Sequence, residues 1–203
     1  MEKIDYKKEL RTLYTAPTIE PSIVTIPPMQ YLLIDGRGNP NNSAEFQSAV
    51  EALFSVAYTL KFMVKKTLAV DYGVMPLEGL WWCEDMQHFS IDAKDDWQWT
   101  VMIMQPKFIT AELLTVAFEK VAKDKKLAAL DTMRFNTLAE GLSAQVLHSG
   151  PFSEEGPTVE KLHAFIAGNG YQMSGKHHEI YLSDTRRGNP QNWKTIIRQP
   201  INS

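Results

Sequence analysis

The chain has 203 residues, 44% hydrophobic and 22% charged, with a formal net charge of -3. That length can bury a sizeable core, and that charge leaves no basic footprint for direct nucleic-acid binding. The single cysteine, Cys83, excludes an intrachain disulfide and suits a reducing cytoplasm. The first residues, Met1 to Lys8, lack the apolar core of a secretory signal, and no apolar run reaches the length of a membrane span. A soluble, cytoplasmic protein with no membrane partner is therefore expected, and nothing in the sequence predicts an oligomer.

Residues 1–15 are charged and read as a short helix ahead of Pro17. An extended run from Ile23, broken by Pro27-Pro28, leads into the strand Gln30 to Ile34, and Gly36-Arg37-Gly38-Asn39-Pro40 reads as a turn cluster. Its Gly-x-Gly lacks the rest of any phosphate-loop pattern. Asn42 with Glu45 three residues on reads as a capping box, and Phe46, Val50, Leu53, Ala57 and Leu60 continue at helical spacing to about Lys65. Pro76 to Trp82 reads as a strand bearing Glu78, and a loop from Cys83 to Asp96 separates it from the strand Trp97 to Met104, which Gln105-Pro106 stops. Cys83, just past the Trp-rich strand, reads as packing rather than a nucleophile. Thr110 then caps a helix carrying Leu114, Ala117, Phe118 and Val121.

The second half repeats this order. Leu142 to His148 is a strand with Gly150-Pro151 as its turn, and Val159, Leu162, Phe165 and Ile166 mark a helix ended by Gly168-Asn169-Gly170. A strand over His177 to Asp184 follows, and Lys194 to Arg198 closes the pattern before Gln199-Pro200. Both halves read strand, helix, Glu-bearing strand, strand, Gln-Pro. The expected fold is α+β: tandem βαββ repeats, about 20–106 and 133–201 of a single domain spanning 1–203, related by a pseudo-twofold axis around a central ligand groove. Helices would cover one face of the antiparallel sheet and leave the other to line that groove, with Glu78 and Glu179 facing it from opposite sides.

Several segments together resemble the GyrI-like small-molecule-binding family. They are Tyr31 to Asn41, Glu140-Gly141, His148-Ser149-Gly150-Pro151-Phe152, His178 to Asp184, and Lys194 to Pro200. The chain is similar to the stand-alone branch of that family. It departs from the family pattern at Asp184-Thr185-Arg186-Arg187, where Asp-Pro-Arg-Arg is expected. The resemblance implies a groove for flat aromatic, often cationic, compounds, with the signature pocket acid at Glu179. It also implies, for some stand-alone members, hydrolysis of the cyclopropane ring of cyclopropanoid DNA-alkylating toxins.

The residues themselves leave alternatives open. Alternation puts Glu179, Tyr181 and Ser183 on one strand face, with His178, Ile180 and Leu182 on the other. A strand carboxylate among aromatics marks a perturbed group in a cleft, although pairing with Arg198 or Lys194 would explain it structurally. Glu78 fits pocket or rim, and Glu140 fits surface or pocket. Trp81, Trp82, Trp97 and Trp99 occupy adjacent strands; some must be core, and Trp82, sharing a face with Glu78, is the favoured ligand platform. Phe152 joins the ligand-binding set, and Tyr181 offers a donor to a ligand oxygen. His177-His178-Glu179 cannot converge on one ion from adjacent strand positions, and His88, His148 and His163 show no paired ligand spacing, so no metal is expected. No Gly-x-Ser-x-Gly elbow and no nucleotide fingerprint appear, so no cofactor is expected. Two functions follow: a hydrolase in which Glu179, Glu78 and Tyr181 act on a strained electrophile, or a module that only binds or sequesters aromatic ligands.

Overall fold

The computed structural model describes residues 1–84, 94–184 and 188–203. Most of the expected Cys83-to-Asp96 loop, His88 within it, and Thr185-Arg186-Arg187 lie outside the described residues. The sheet runs in the order β2 (Ser22–Ile26), β8 (Gly141–Ser149), β11 (Lys194–Asn202), β10 (His177–Tyr181), β5 (Leu77–Trp82), β6 (Gln98–Gln105), β3 (Met29–Arg37), β7 (Arg134–Leu138). Every pairing along this path is antiparallel, and the short β9 (Gln172–Met173) joins the far end of β11. A separate parallel pair links β1 (Glu2–Ile4) to β4 (Val70–Tyr72). The architecture is α+β, and the two Glu-bearing strands β5 and β10 meet at the middle of the sheet.

Helix α3 (Ala44–Thr67) packs on β3 and β6 through Ala49, Ala52, Leu53, Val56, Ala57, Leu60 and Val64, whose small members let the helix approach closely. Helix α5 (Gly156–Gly168) lies on β8 and β11, burying Leu162 and Ile166 against Ala144, Val146, Ile197 and Ile201. Helix α4 (Ala111–Asp124) packs beside α3. The N-terminal segment holds two one-turn helices, α1 (Tyr6–Glu9) and α2 (Arg11–Tyr14). Among the described residues no helix is long and apolar enough to cross a membrane.

Three local readings need correction. Ser43, not Asn42, caps α3, its hydroxyl accepting from the Phe46 amide at 3.1 Å. Gly36 belongs to β3 rather than to a turn, because the Trp99 ring lies where its side chain would be: a Cβ there would sit 2.2 Å from the indole. The Gln-Pro pair ends β6 but not β11, which runs through Pro200; its carbonyl accepts from the Ser174 amide at 2.9 Å as β9 comes into register.

Candidate functional site

The register between β5 and β10 decides which side chains meet. Glu179 pairs with Gly79, and Ile180 pairs with Glu78. Directly paired residues share a face, so Glu179 and Glu78 point to opposite sides of the sheet. The expectation that they face one groove is overturned by this single-residue offset.

On the Glu179 side, Gly79 leaves room for the Trp81 indole, whose Nε1 would lie 2.7 Å from a Cβ at that position. The Trp81 Nε1–H donates to the Tyr181 hydroxyl at 3.1 Å, and that hydroxyl donates to Glu179 Oε2 at 2.8 Å. His177 Nε2 meets the other oxygen, Glu179 Oε1, at 3.1 Å. Trp81, His177, Glu179 and Tyr181 thus form one chain of contacts on one face. Burial, then the Glu179 charge, pushes the Tyr181 phenol well above its ordinary range, so it stays a donor.

This chain opens into a cavity of about 380 Å³, lined by Trp81, Trp97, Phe46, Phe152, Tyr181 and Glu179 among others. That volume is within the usual span for small-molecule sites. Phe46 of α3 stacks on Trp81 at 5.9 Å between centroids, Trp97 tilts against Trp81 at 5.4 Å, and Phe152 meets Tyr181 edge-on at 5.5 Å. The cavity therefore lies on the helix-bearing face, with α3 contributing a wall, rather than on the open face that the fold class suggested.

A second carboxyl reaches the same cavity. Glu155, 7% exposed, stands at the N-cap position of α5 but makes no side-chain bond to the first-turn amides. Its Oε2 has no hydrogen-bond partner among the described residues. Burial first, and the neighbouring Glu179 charge second, raise its pKa from 4.5 to about 9, against a smaller opposing pull from Lys94. Sequence reasoning missed it: Glu154 and Glu155 are adjacent and alike, and only the Gly156-Pro157 helix start marks which one turns inward.

The opposite face holds Glu78 and Glu140. Glu78, fully buried, accepts from the Tyr14 hydroxyl at 2.7 Å and meets His178 Nε2 at 3.0 Å. His178 Nδ1 meets Glu140 at 2.8 Å, and Arg198 Nη1 reaches the same carboxylate at 3.4 Å. Arg198 also donates to Gln145 Oε1 and to the Leu13 carbonyl, while Gln145 donates to the carbonyls of Thr12 and Thr15 at 3.0 Å each. Burial pulls the His178 pKa down, but the charge and bond of Glu140 and the bond of Glu78 outweigh it and hold the imidazolium at about 9. This network fastens α2 and Thr15 after it to the sheet.

The placements sort the expected residues in two. Glu179, Tyr181, Trp81, Trp97 and Phe152 line the cavity. Glu78 and Glu140 belong to the buried network instead, and Arg198 serves Glu140 rather than Glu179. Trp82 points away from the cavity with the Lys176 ammonium 3.1 Å over its ring. Trp99 is fully buried, packed edge-on to Phe46 and over Gly36.

The model of the GyrI-like small molecule binding domain matches residues 19–202. No curated protein matches the chain. Among solved structures, an uncharacterized conserved protein from Listeria innocua is similar at 40% identity and a TM-score of 0.89, with 98% of this chain and 100% of that one covered. A protein from the same organism described as a hydrolase is similar at 40% identity and a TM-score of 0.88, covering 99% and 100%. The C-terminal domain of EcmrR shares the fold at 12% identity and a TM-score of 0.57, covering 90% and 97%.

Proposed function

The chain belongs to the GyrI-like small-molecule-binding domain family, and from that premise we propose that it takes up a flat aromatic electrophile of the cyclopropanoid type and hydrolyses its strained ring. The observation that carries this reading is Glu179: a carboxylate in an aromatic-walled cavity, oriented by Tyr181 and His177. Support for turnover comes from the Listeria innocua hydrolase at 40% identity. The planar ligand lies among Trp81, Trp97 and Phe152, which supply stacking and edge contacts. Glu179 takes a proton from a water whose oxygen attacks the ring carbon. The strained C–C bond breaks, and its electron pair passes through the conjugated system to a carbonyl oxygen, which is then protonated. Tyr181, whose hydroxyl hydrogen is given to Glu179, is a positioning residue in this scheme rather than the donor to that oxygen.

Glu179→Gln tests it, because Gln keeps size and polarity but cannot accept the proton. The variant binds a neutral cyclopropanoid about as well as wild type and opens it roughly 10²–10⁴-fold more slowly. Near-normal ring opening by the variant removes Glu179 from the chemistry. A wild-type protein that binds without opening the ring, and a variant weakened only toward cationic ligands, would instead make this a binding module in which Glu179 is a counter-charge.

A further inference from the structure

Glu155 is the group that the hydrolytic scheme leaves unused. It is a carboxyl buried in an aromatic-walled cavity, at the start of a helix whose amides it does not bond, with Oε2 unpartnered among the described residues. An ionised carboxylate so placed is costly. A neutral carboxylic acid is different: it carries one O–H with a proton to give. Tyr181 cannot fill that role, since its hydroxyl hydrogen already goes to Glu179.

We propose that Glu155 serves this cavity as a carboxylic acid that donates to an acceptor oxygen on the ligand, making neutral aryl ketones and related carbonyl compounds its preferred class. Building on the hydrolase reading, Glu155 gives its proton to the carbonyl oxygen that receives the electron pair of the broken C–C bond, while Glu179 holds the proton taken from water. Water is thereby added across the bond, and both carboxyls return to their starting state by exchanging one proton with solvent. The two acids divide the labour as base and acid because their surroundings differ. Burial and the Glu179 charge keep Glu155 protonated up to about pH 9. The other charged or titratable groups described around the cavity are Tyr181, Tyr58, His177, Lys94, Lys7 and Asp184.

The test uses two ligands of one shape, acridone (a neutral ketone) and the 10-methylacridinium cation, titrated against the intact protein from about pH 6 to about pH 10. In wild type, acridone binding weakens at least about fivefold as Glu155 ionises and the donor is lost, while the cation binds more tightly. Glu155→Gln, which keeps a donor but no titrating proton, flattens both curves. Wild-type affinities that do not diverge with pH, or a variant that keeps the divergence, overturn the proposal. With a cyclopropanoid, Glu155→Gln turns over roughly 10²–10⁴-fold more slowly and loses the alkaline fall in rate. A variant as fast as wild type with the same alkaline fall removes Glu155 while leaving the Glu179 reading intact. If wild type shows no turnover at all, the hydrolase reading fails and the divergence of the two ligands alone decides the case for Glu155.

Discussion

The two faces of the β5–β10 pair bury the same kinds of side chain and treat them in opposite ways. On one face, Glu78, Glu140, His178, Arg198, Gln145 and Tyr14 bind one another and the backbone of the N-terminal segment. On the other, Glu179 is held from two sides, and Glu155 beside it keeps an oxygen without a partner among the described residues. Burial of a carboxylate therefore does not by itself mark a functional site. What separates the faces is leftover hydrogen-bonding capacity next to a cavity: the saturated face is structure, and the unsaturated face has something to offer a ligand.

The sharpest way to break this contrast is to remove the cation between the two acids of the saturated face. His178→Phe leaves Glu78 and Glu140 buried without it, and should cost about 3–5 kcal/mol in urea unfolding. The pH dependence has a definite sign. The folded pKa of about 9 lies above the ordinary 6.5, so the stabilisation is complete below pH 6.5 and is lost as pH rises through 9. A loss under about 1 kcal/mol in the variant would mean that the network contributes no more than an exposed ion pair.

Replacing the cavity acid should shift stability in the opposite direction, although its pH dependence has the same sign. Folded Glu155 retains its proton up to about pH 9, whereas the unfolded side chain releases it near 4.5. Stability attached to it is complete below 4.5 and falls as pH rises toward 9, because only the folded state must hold the proton. Glu155→Gln should therefore stabilise the protein by about 1–3 kcal/mol at pH 7, an advantage that fades on acidification toward pH 4.5. Stabilisation by loss of a cavity residue is the usual mark of a group kept for activity. Thermal unfolding of both proteins across that range reads it directly, and a destabilised variant would place Glu155 with the structural acids.

Much of this contrast was legible in the sequence, and the part that was not has a definite cause. Alternation along His177 to Tyr181 correctly separated Glu179 and Tyr181 from His178 and Ile180, because a strand's period is a local property. Which residue of β5 lies opposite Glu179 is not local. A shift of one position exchanges Glu78 for Gly79 and sends Glu78, with Trp82, to the other side of the sheet. The same shift brings Trp81 to the cavity in place of Trp82, the favoured ligand platform of the sequence reading. Gly79 itself carried the signal, since a glycine inside a strand marks a place where something else comes close, and here that something is the Trp81 indole.

The smallest expected effect sharpens the comparison at the ligand itself. Trp82 and Phe152 were both expected to bind ligand, and the two faces now separate them. Phe152 is half-buried, lines the cavity, and meets Tyr181 at 5.5 Å and Trp193 at 5.2 Å. Trp82 is also half-buried but spends its ring on the Lys176 ammonium, away from the cavity. Replacing Phe152 with Ala removes an aromatic edge from the ligand's surroundings while leaving the larger Trp81 and Trp97 in place, so affinity for a flat aromatic compound should fall by about 1–2 kcal/mol. Replacing Trp82 with Ala removes a larger ring yet should leave that affinity unchanged, since the ring it deletes never faces the ligand. Fluorescence titration of the two folded variants compares them under one condition. A Trp82→Ala variant that loses as much affinity as Phe152→Ala would mean that the ligand reaches the Glu78 face, and the separation of the two faces would fail where it matters most.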